Sequence, residues 1–154
     1  MFKWPLINNN ISQQDKRALS DFVLNTDRFT NGPKVKEFEK AWSDWLGVKH
    51  TVFVNSGASA NYIMASVLKE QKGLGEVIVP PIGWVSDIAP LVNLGFTPVF
   101  VDVDLKNMAI SADNIRKAIT PDTVGITMVH ALGFNGLNKD IVDIAQTNKI
   151  TLIE

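Results

Sequence analysis

Residues 76–104 read EVIVPPIGWVSDIAPLVNLGFTPVFVDVD, and this stretch decides the predicted fold. It opens with a short apolar run at Val77–Val79 and closes with a second one at Pro98–Val103. The segment 85–94 between them is compatible with a helix. A strand, a helix and another strand in succession predict a parallel pair joined by a crossover helix.

The same alternation extends outward from this stretch in both directions. Further β-rich apolar runs occur at His50–Val54, Val124–Val129 and Ile150–Ile153. Helix-compatible stretches occur at about 59–69, 112–119 and 138–148. Ser111 and Asn138 are suitable N-caps for the last two helices. Nearly continuous apolar strands between helices indicate an α/β fold, a three-layer sandwich with a mainly parallel sheet covered on both faces.

Residues 1–48 have a different pattern, which predicts an N-terminal helical arm. Ser12 and Asp15 form a plausible capping box at the start of its first helix. A stretch of turn formers separates this helix from a second one, and Gly47 follows where a C-terminal cap belongs. In this division residues 49–154 form the α/β domain.

The composition narrows the class of protein. A net charge of -1 gives no general attraction to nucleic acid or anionic lipid. No apolar run approaches the roughly 20 residues of a membrane helix, and the opening segment MFKWPLINNN lacks the apolar core of a signal peptide. We therefore expect a cytoplasmic globular protein that has neither nucleic acid nor membrane as a partner.

The strongest local signal is the segment Val54-Asn-Ser-Gly-Ala-Ser-Ala-Asn61, in which a strand runs through small residues into a helix. At Gly57, Ala58 and Ser59 backbone N–H groups are exposed at the helix N-terminus, which suits a phosphate monoester. A tight turn that needs small residues for packing explains the segment equally well. The chain has no G-x-x-x-x-G-K-[ST] motif and no G-x-G-x-x-G after a strand, so neither an NTPase nor a Rossmann protein is indicated.

Trp84 provides a second signal, because it comes shortly after the apolar run Val77–Val79. Ligands of α/β folds bind beyond the carboxyl ends of the strands. At that place the flat indole can stack on a planar heteroaromatic ring. A lone tryptophan more often packs a helix start against the core, but two signals at strand ends of one sheet favour a ligand site.

Three other features are weaker candidates. Asp102 and Asp104 resemble a metal-binding pair, but acids at such a place mostly make Asx turns or are solvated, and we predict no metal site. His130 follows a strand, where an isolated histidine more often has a structural role. No lysine stands in a context typical of a Schiff-base residue, so we predict no catalytic residue in this chain.

The chain ends at Glu154, on the predicted strand Ile150–Ile153. A complete domain rarely ends there, because ligands in α/β folds bind just beyond the strand ends. We expect a domain that is truncated at its C-terminus; a strand that happens to be terminal is the alternative.

Seven segments, in order along nearly the whole chain, carry a resemblance to a known family: Thr30–Pro33, Asn55–Ala60, Glu76–Trp84, Leu94–Asp104, Ala118–Pro121, Val129–Gly133 and Leu152–Glu154. They resemble the N-terminal half of the large domain in the DegT/DnrJ/EryC1/StrS family of sugar aminotransferases. The segments are highly specific jointly, although none is so alone. The resemblance implies the fold type I of pyridoxal-phosphate-dependent transferases.

The resemblance also implies roles at the matching positions. Backbone groups of Ala58 and Ser59, next to Gly57, would hold the phosphate of pyridoxal 5'-phosphate or pyridoxamine 5'-phosphate, and Trp84 would stack on the pyridine ring. In the family, the residue after the position of Glu154 is an aspartate that pairs with the pyridine nitrogen, and the Schiff-base lysine comes later. Both positions lie beyond this chain, which we therefore expect to be inactive alone.

Two positions depart from the family's pattern. Ala58 stands where many members have threonine or serine, so a hydroxyl contact is lost while the N–H is kept. Asp87 replaces what is often a small hydroxyl residue and puts a carboxylate near the site, with an effect that the sequence leaves open.

The resemblance leads to two alternative activities. An aminotransferase would use an amino donor such as glutamate to aminate a nucleotide-linked keto-sugar, in the biosynthesis of a deoxyaminosugar or of a cell-surface polysaccharide such as lipopolysaccharide. A nucleotide-sugar 3-dehydratase, in which a histidine replaces the lysine, matches Ser59–Asn61 and His130–Gly133 equally well. A non-catalytic α/β binding module or regulatory homologue is a third hypothesis. Family members build each active site at a subunit interface, so we also expect a homodimer.

Overall fold

The computed structural model describes residues 9–154, which form two compact units that divide between Phe53 and Val54. The prediction about a signal peptide falls largely on residues 1–8, outside the described residues. Within the part that is described, no helix is long and apolar enough to cross a membrane.

The described residues of the first unit form two helices, whose ends follow the local sequence. α1 spans Gln13–Asn25 and α2 spans Pro33–Leu46. The Ser12 N–H donates to Asp15 Oδ2 at 2.8 Å, and the Asp15 N–H donates to Ser12 Oγ at 3.2 Å. Gly47 ends α2 at a φ of 73°, in the left-handed region that favours glycine. The predicted capping box and C-terminal cap are therefore confirmed.

The prediction of a strand at His50–Val54 is wrong. The Phe53 N–H donates to Glu39 Oε1 of α2 at 3.0 Å, and Ser43 Oγ donates to Thr51 Oγ1 at 2.7 Å. Apolar and β-branched residues favour an extended backbone here, but a strand also needs a neighbouring strand. Among residues 9–154 no strand pairs with this segment, and side chains of α2 take part of its hydrogen bonding instead.

Strands and helices alternate through the second unit. The strands are β1 (Glu76–Val79), β2 (Thr97–Phe100), β3 (Val103–Asp104), β4 (Ala109–Ile110), β5 (Thr123–Thr127) and β6 (Thr151–Ile153). The helices are α3 (Gly57–Lys72), α4 (Val85–Leu94), α5 (Ala112–Ala118) and α6 (Lys139–Thr147), with a 3₁₀ turn at Ala131–Gly133. Ser111 Oγ and Asn138 Oδ1 cap α5 and α6 as predicted, at 3.2 and 3.1 Å from the N–H groups that they accept.

The main sheet has the strand order β2-β1-β5-β6, and neighbouring strands in it are parallel. Ile78 points to one face, into a core that includes Ile141 of α6 and residues of α5. Its neighbour Val77 points to the other face, into a core with Leu68 of α3 and Leu91 of α4. Helices therefore cover both faces, and the predicted three-layer α/β fold with a parallel sheet is confirmed.

The predicted strand Pro98–Val103 is interrupted. β2 ends at Phe100, and β3 pairs antiparallel with β4 in a short hairpin outside the main sheet. Asp104 Oδ1 accepts the N–H of Lys106 at 2.9 Å, an Asx turn that reverses the chain between β3 and β4. The interruption itself lies between Phe100 and Val103, where Asp102 Oδ1 accepts the N–H of Val103 at 2.8 Å, a local bond that competes with strand pairing.

Candidate active site at the carboxyl edge of the sheet

A pocket of about 290 Å³ opens at the carboxyl ends of β5 and β6, beside the N-terminal halves of α3 and α4. Its polar rim carries Asn61 of α3, Asp87 of α4, and His130 and Glu154, which follow β5 and β6. The rest of the lining is largely apolar and includes Met64, Leu91, Met128 and Ile153. A mostly apolar cleft with a few converging polar groups, at this edge of a parallel sheet, is the usual form of a small-molecule site.

The N-terminus of α3 is capped by Ser56, whose Oγ accepts the Ser59 N–H at 3.2 Å. The Ser59 hydroxyl donates to Asn55 Oδ1 at 2.6 Å. The N–H groups of Gly57 and Ala58, in the first turn, have no intrahelical acceptor, and within the described residues they donate to no other group. Two of the three predicted phosphate donors are therefore open, whereas the third is engaged by the cap.

Space is open beside Gly57, the first residue of α3, on the side where a Cβ would stand. A Cβ built on Gly57 would meet no heavy atom within 4 Å. The 16-residue helix also directs the positive end of its dipole toward this space. These features suit an anionic group, although Gly57, Ala58 and Ser59 are not among the residues that line the pocket itself.

Trp84 is the N-cap residue of α4 and lines the pocket with its side chain largely free. It is 79% exposed, which is unusual for the largest apolar side chain. The Trp84 N–H donates to Asp87 Oδ2 at 2.9 Å, so the backbone at this residue is fixed while the indole is not packed in a core. An open aromatic face beside an apolar cleft suits a planar ring.

Asn61 ties α3 to α4 at this point. Its side-chain amide donates to Asp87 Oδ1 at 3.0 Å and to the Ser86 carbonyl oxygen at 3.1 Å. Pro90 inside α4 has no N–H, so the Ser86 carbonyl lacks its usual helical donor and accepts from Asn61 instead. Sequence reasoning noticed Asp87 but missed Asn61; the proline four residues after Ser86 was the available signal.

His130 and Glu154 face each other on the opposite side of the pocket. His130 Nε2 lies 3.3 Å from Glu154 Oε2, and His130 Nδ1 accepts the N–H of Gly136 at 3.1 Å. Because Nδ1 accepts a backbone donor, the neutral ring carries its proton on Nε2, directed at the carboxylate. The pairing with Glu154 joins the ends of β5 and β6, which no local pattern in the sequence indicated.

The Asp102 and Asp104 carboxylates lie away from this pocket and accept backbone N–H groups of their own turn. Over residues 9–154, no three acidic, histidine or cysteine side chains are grouped closely enough to hold a metal ion. The turn-forming interpretation of this pair therefore has direct structural support at Asp104.

An open helix N-terminus and an exposed indole at the carboxyl edge of a parallel sheet define a ligand-binding α/β domain. The sequence model of the DegT/DnrJ/EryC1/StrS aminotransferase family matches residues 10–154, and the chain belongs to this family. The resemblance inferred from the seven segments is thereby confirmed.

Similar proteins include sugar dehydratases and sugar aminotransferases. The GDP-4-keto-6-deoxy-D-mannose 3-dehydratase of Yersinia pseudotuberculosis is 32% identical over 160 aligned positions, which cover 100% of this chain and 40% of that protein. The UDP-4-amino-4-deoxy-L-arabinose–oxoglutarate aminotransferase of Shewanella sediminis is 35% identical over 153 positions, 97% of this chain and 38% of that protein.

A solved structure of the E. coli GDP-4-keto-6-deoxy-D-mannose-3-dehydratase with bound hydrated PLP superposes with a TM-score of 0.88. It is 30% identical, and the match covers 99% of this chain and 40% of that one. The predicted PLP-dependent fold type I is therefore confirmed. The chain spans about 40% of the length of the relatives that it matches.

Proposed function

We propose that the complete natural protein is a pyridoxal-phosphate-dependent enzyme that aminates a nucleotide-linked keto-sugar, with an amino donor such as glutamate. One observation carries this proposal: α3, whose first N–H groups are open, is hydrogen-bonded through Asn61 to Asp87, and Asp87 also accepts the N–H of the exposed Trp84. A planar cofactor with a phosphate arm needs a phosphate site and a stacking surface together. A non-catalytic binding module does not need this combination.

The residues present fit such a cofactor. The N–H groups of Gly57 and Ala58 would hold the phosphate, joined by the Ser59 N–H if Ser56 Oγ releases it. Trp84 would stack on the pyridine ring. When bound, the cofactor supplies the electron-withdrawing ring that stabilises a carbanion at the reacting carbon.

The chain's own residues would bind and orient the ligand and exclude water. The apolar floor of the pocket, including Met64 and Leu91, keeps water away from the buried side of the ring. His130, with its proton on Nε2 and its ring held by Gly136, adds an oriented polar group to the rim. In this proposal the base that moves protons at the substrate is the family's lysine or histidine, for which the resemblance implies a position beyond Glu154.

The substrate class has support from the relatives' names. The Yersinia and E. coli proteins are named for a GDP-linked 4-keto-6-deoxy sugar, and the Shewanella protein for a UDP-linked amino sugar and oxoglutarate. All three names contain a nucleotide-linked sugar, and two of them name a keto-sugar, which is the substrate form that we propose. We extend the proposal to a cytoplasmic homodimer that serves deoxyaminosugar or cell-surface polysaccharide biosynthesis, including lipopolysaccharide.

Sugar 3-dehydration is the second candidate function. Dehydratases from Yersinia pseudotuberculosis and E. coli match the whole chain at 30–32% identity, which supports this activity as directly as the Shewanella match supports amination. Both activities need the same cofactor cradle, so the residues of this chain serve either.

The test uses the complete natural protein with pyridoxal phosphate, glutamate and a GDP-linked 4-keto-6-deoxy sugar. Mass spectrometry of the sugar product separates the two candidates. Replacement of the keto oxygen by an amino group supports amination, and loss of the hydroxyl group at C3 supports dehydration. A protein that binds the sugar but changes it in neither way, with the cofactor present, would instead be the non-catalytic homologue.

A further inference from the structure

We propose that Asp87, together with Asn61, is a positioning residue that holds Trp84 in place for a planar ring ligand. The inference rests on the proposed function and extends it to a residue whose role the sequence left open. Asp87 is not in contact with the open N–H groups of α3, so it has a separate task from the phosphate end of the site.

Both oxygens of the Asp87 carboxylate have partners. Oδ2 accepts the N–H of Trp84 at 2.9 Å, and Oδ1 accepts the side-chain amide of Asn61 at 3.0 Å. Asn61 in turn uses its remaining amide hydrogen on the Ser86 carbonyl at 3.1 Å. Each side chain is therefore fixed by two hydrogen bonds, several of them to a charged group, which are stronger than neutral ones.

If Asp87 only capped α4, its hydrogen bond from the Trp84 N–H would be enough, and it would not need Asn61 of α3 as a second donor. The capping box of α1 shows the simpler arrangement, since Asp15 bonds to Ser12 of its own helix end alone. At α4 the cap is instead anchored on α3, the helix whose N-terminus would bind the phosphate. The phosphate cradle and the Trp84 backbone, from which the indole extends, are thereby held in a set relation, which lowers the ordering cost of binding a ligand that contacts both ends of the site.

Gly83 contributes to the same geometry. A Cβ at this position would lie 2.9 Å from Asp87 Oδ2 and 3.4 Å from a methyl group of Val129. A larger residue would therefore push the carboxylate away from the Trp84 N–H without removing its charge. Gly83→Ala is thus an independent way to disturb the arrangement.

The test compares two ligands on the complete natural protein. Pyridoxamine 5'-phosphate reports on ring and phosphate together without forming a bond to a lysine, and inorganic phosphate reports on the phosphate end alone. We expect Asp87→Ala to weaken binding of pyridoxamine phosphate about tenfold, the effect of losing a hydrogen bond to a charged group, and to leave inorganic phosphate binding unchanged. Gly83→Ala should act in the same direction.

Asp15→Ala is the matched control, because it removes an acid from the same cap position of another helix. It should change the affinity for neither ligand.

The outcomes separate the inference from the function on which it rests. Equal weakening of both ligands in Asp87→Ala would mean a general structural role and overturn the inference, as would unchanged pyridoxamine phosphate binding in both Asp87→Ala and Gly83→Ala. Failure of the unaltered protein to bind pyridoxamine phosphate would overturn the proposed cofactor as well.

Discussion

The side-chain amide of Asn61 donates to the Ser86 carbonyl oxygen at 3.1 Å and so joins α3 to α4. Ser86 has this carbonyl available because Pro90, four residues further along α4, has no N–H to complete the helical bond. A proline that would weaken an isolated helix here opens a site for a bond between two helices. The pair lies at the edge of the candidate site, beside Trp84.

Asn61→Ala should reduce the local stability of α4 by about 1–3 kcal/mol, because it leaves the Ser86 carbonyl and one Asp87 oxygen without this donor. Native-state hydrogen exchange of the α4 amides measures the change. Asn93→Ala, at an exposed position of the same helix, is the control and should have little effect. Equal protection of α4 in the two variants would contradict the role given to Asn61.

Ser56→Ala should cost about 1 kcal/mol, because it removes the hydroxyl that caps α3. The melting temperature should fall accordingly. Ser66→Ala in the middle of the same helix removes a hydroxyl that bonds only to the Tyr62 carbonyl, and its effect should stay within about 0.5 kcal/mol. A larger loss from Ser66→Ala than from Ser56→Ala would show that the cap is not a significant stabilising element.

Ile126→Ala should destabilise the α/β unit by about 2–5 kcal/mol, since Ile126 is fully buried in the centre of the sheet and its loss leaves a cavity. Denaturant titration followed by circular dichroism measures the difference. Leu105→Ala serves as the comparison, because that side chain is 90% exposed in the hairpin turn and should be nearly neutral. Similar losses in both would be inconsistent with the core as described.

The hydrogen bond from the Phe53 N–H to Glu39, in the first unit, should depend on pH. The Lys36 ammonium, 2.9 Å from Glu39 Oε2, lowers the pKa of Glu39, and the bond from the Phe53 N–H lowers it further. Because the folded pKa lies below its ordinary value, the contact contributes fully above that value and is lost as the pH falls through the lowered one.

The Phe53 amide proton reports this titration directly. Its NMR shift should change only at acid pH, below the usual range of a glutamate, and Glu39→Gln should abolish the change. A midpoint above the ordinary glutamate pKa would show that the fold raises the pKa of Glu39, and it would contradict this prediction.

Much of the fold was predictable because its signals are local. The caps at Ser12, Ser111 and Asn138 depend on bonds that reach only three residues along the chain. The burial of Val77–Val79 follows from an apolar run too short for a helix and flanked by turn formers. There were two exceptions. Pro98–Val103 is interrupted, and at His50–Val54 the composition favoured a strand but strand formation depends on a partner elsewhere in the chain.

The candidate site was predictable only in part. Trp84 and the turn at Gly57–Ser59 carry signals of their own, a ring after a strand and small residues before a helix, and their roles as cofactor contacts stay a proposal. The hydrogen bond from the Ser59 N–H to Ser56 Oγ was not anticipated. A serine before a helix can cap it or leave its N–H groups open to a ligand, and the sequence alone does not distinguish the two. In the polar rim, Pro90 was an indirect signal for Asn61 and the position of His130 after a strand was a weak one, but no local pattern indicated the pairing of His130 with Glu154.

The sequence by itself determined the alternation of strands and helices, the helix ends and the family, since these depend on neighbouring residues and on motifs in a fixed order. The tertiary structure alone decided that Asp87 meets Asn61 and that His130 meets Glu154, pairs separated by 26 and 24 residues. Parallel strands bring such distant positions to one edge of the sheet, and the geometry of packed helices selects which of them touch. The sequence left the effect of Asp87 open, and the packing of α3 against α4 shows that its carboxylate accepts from both the Trp84 N–H and Asn61 of α3.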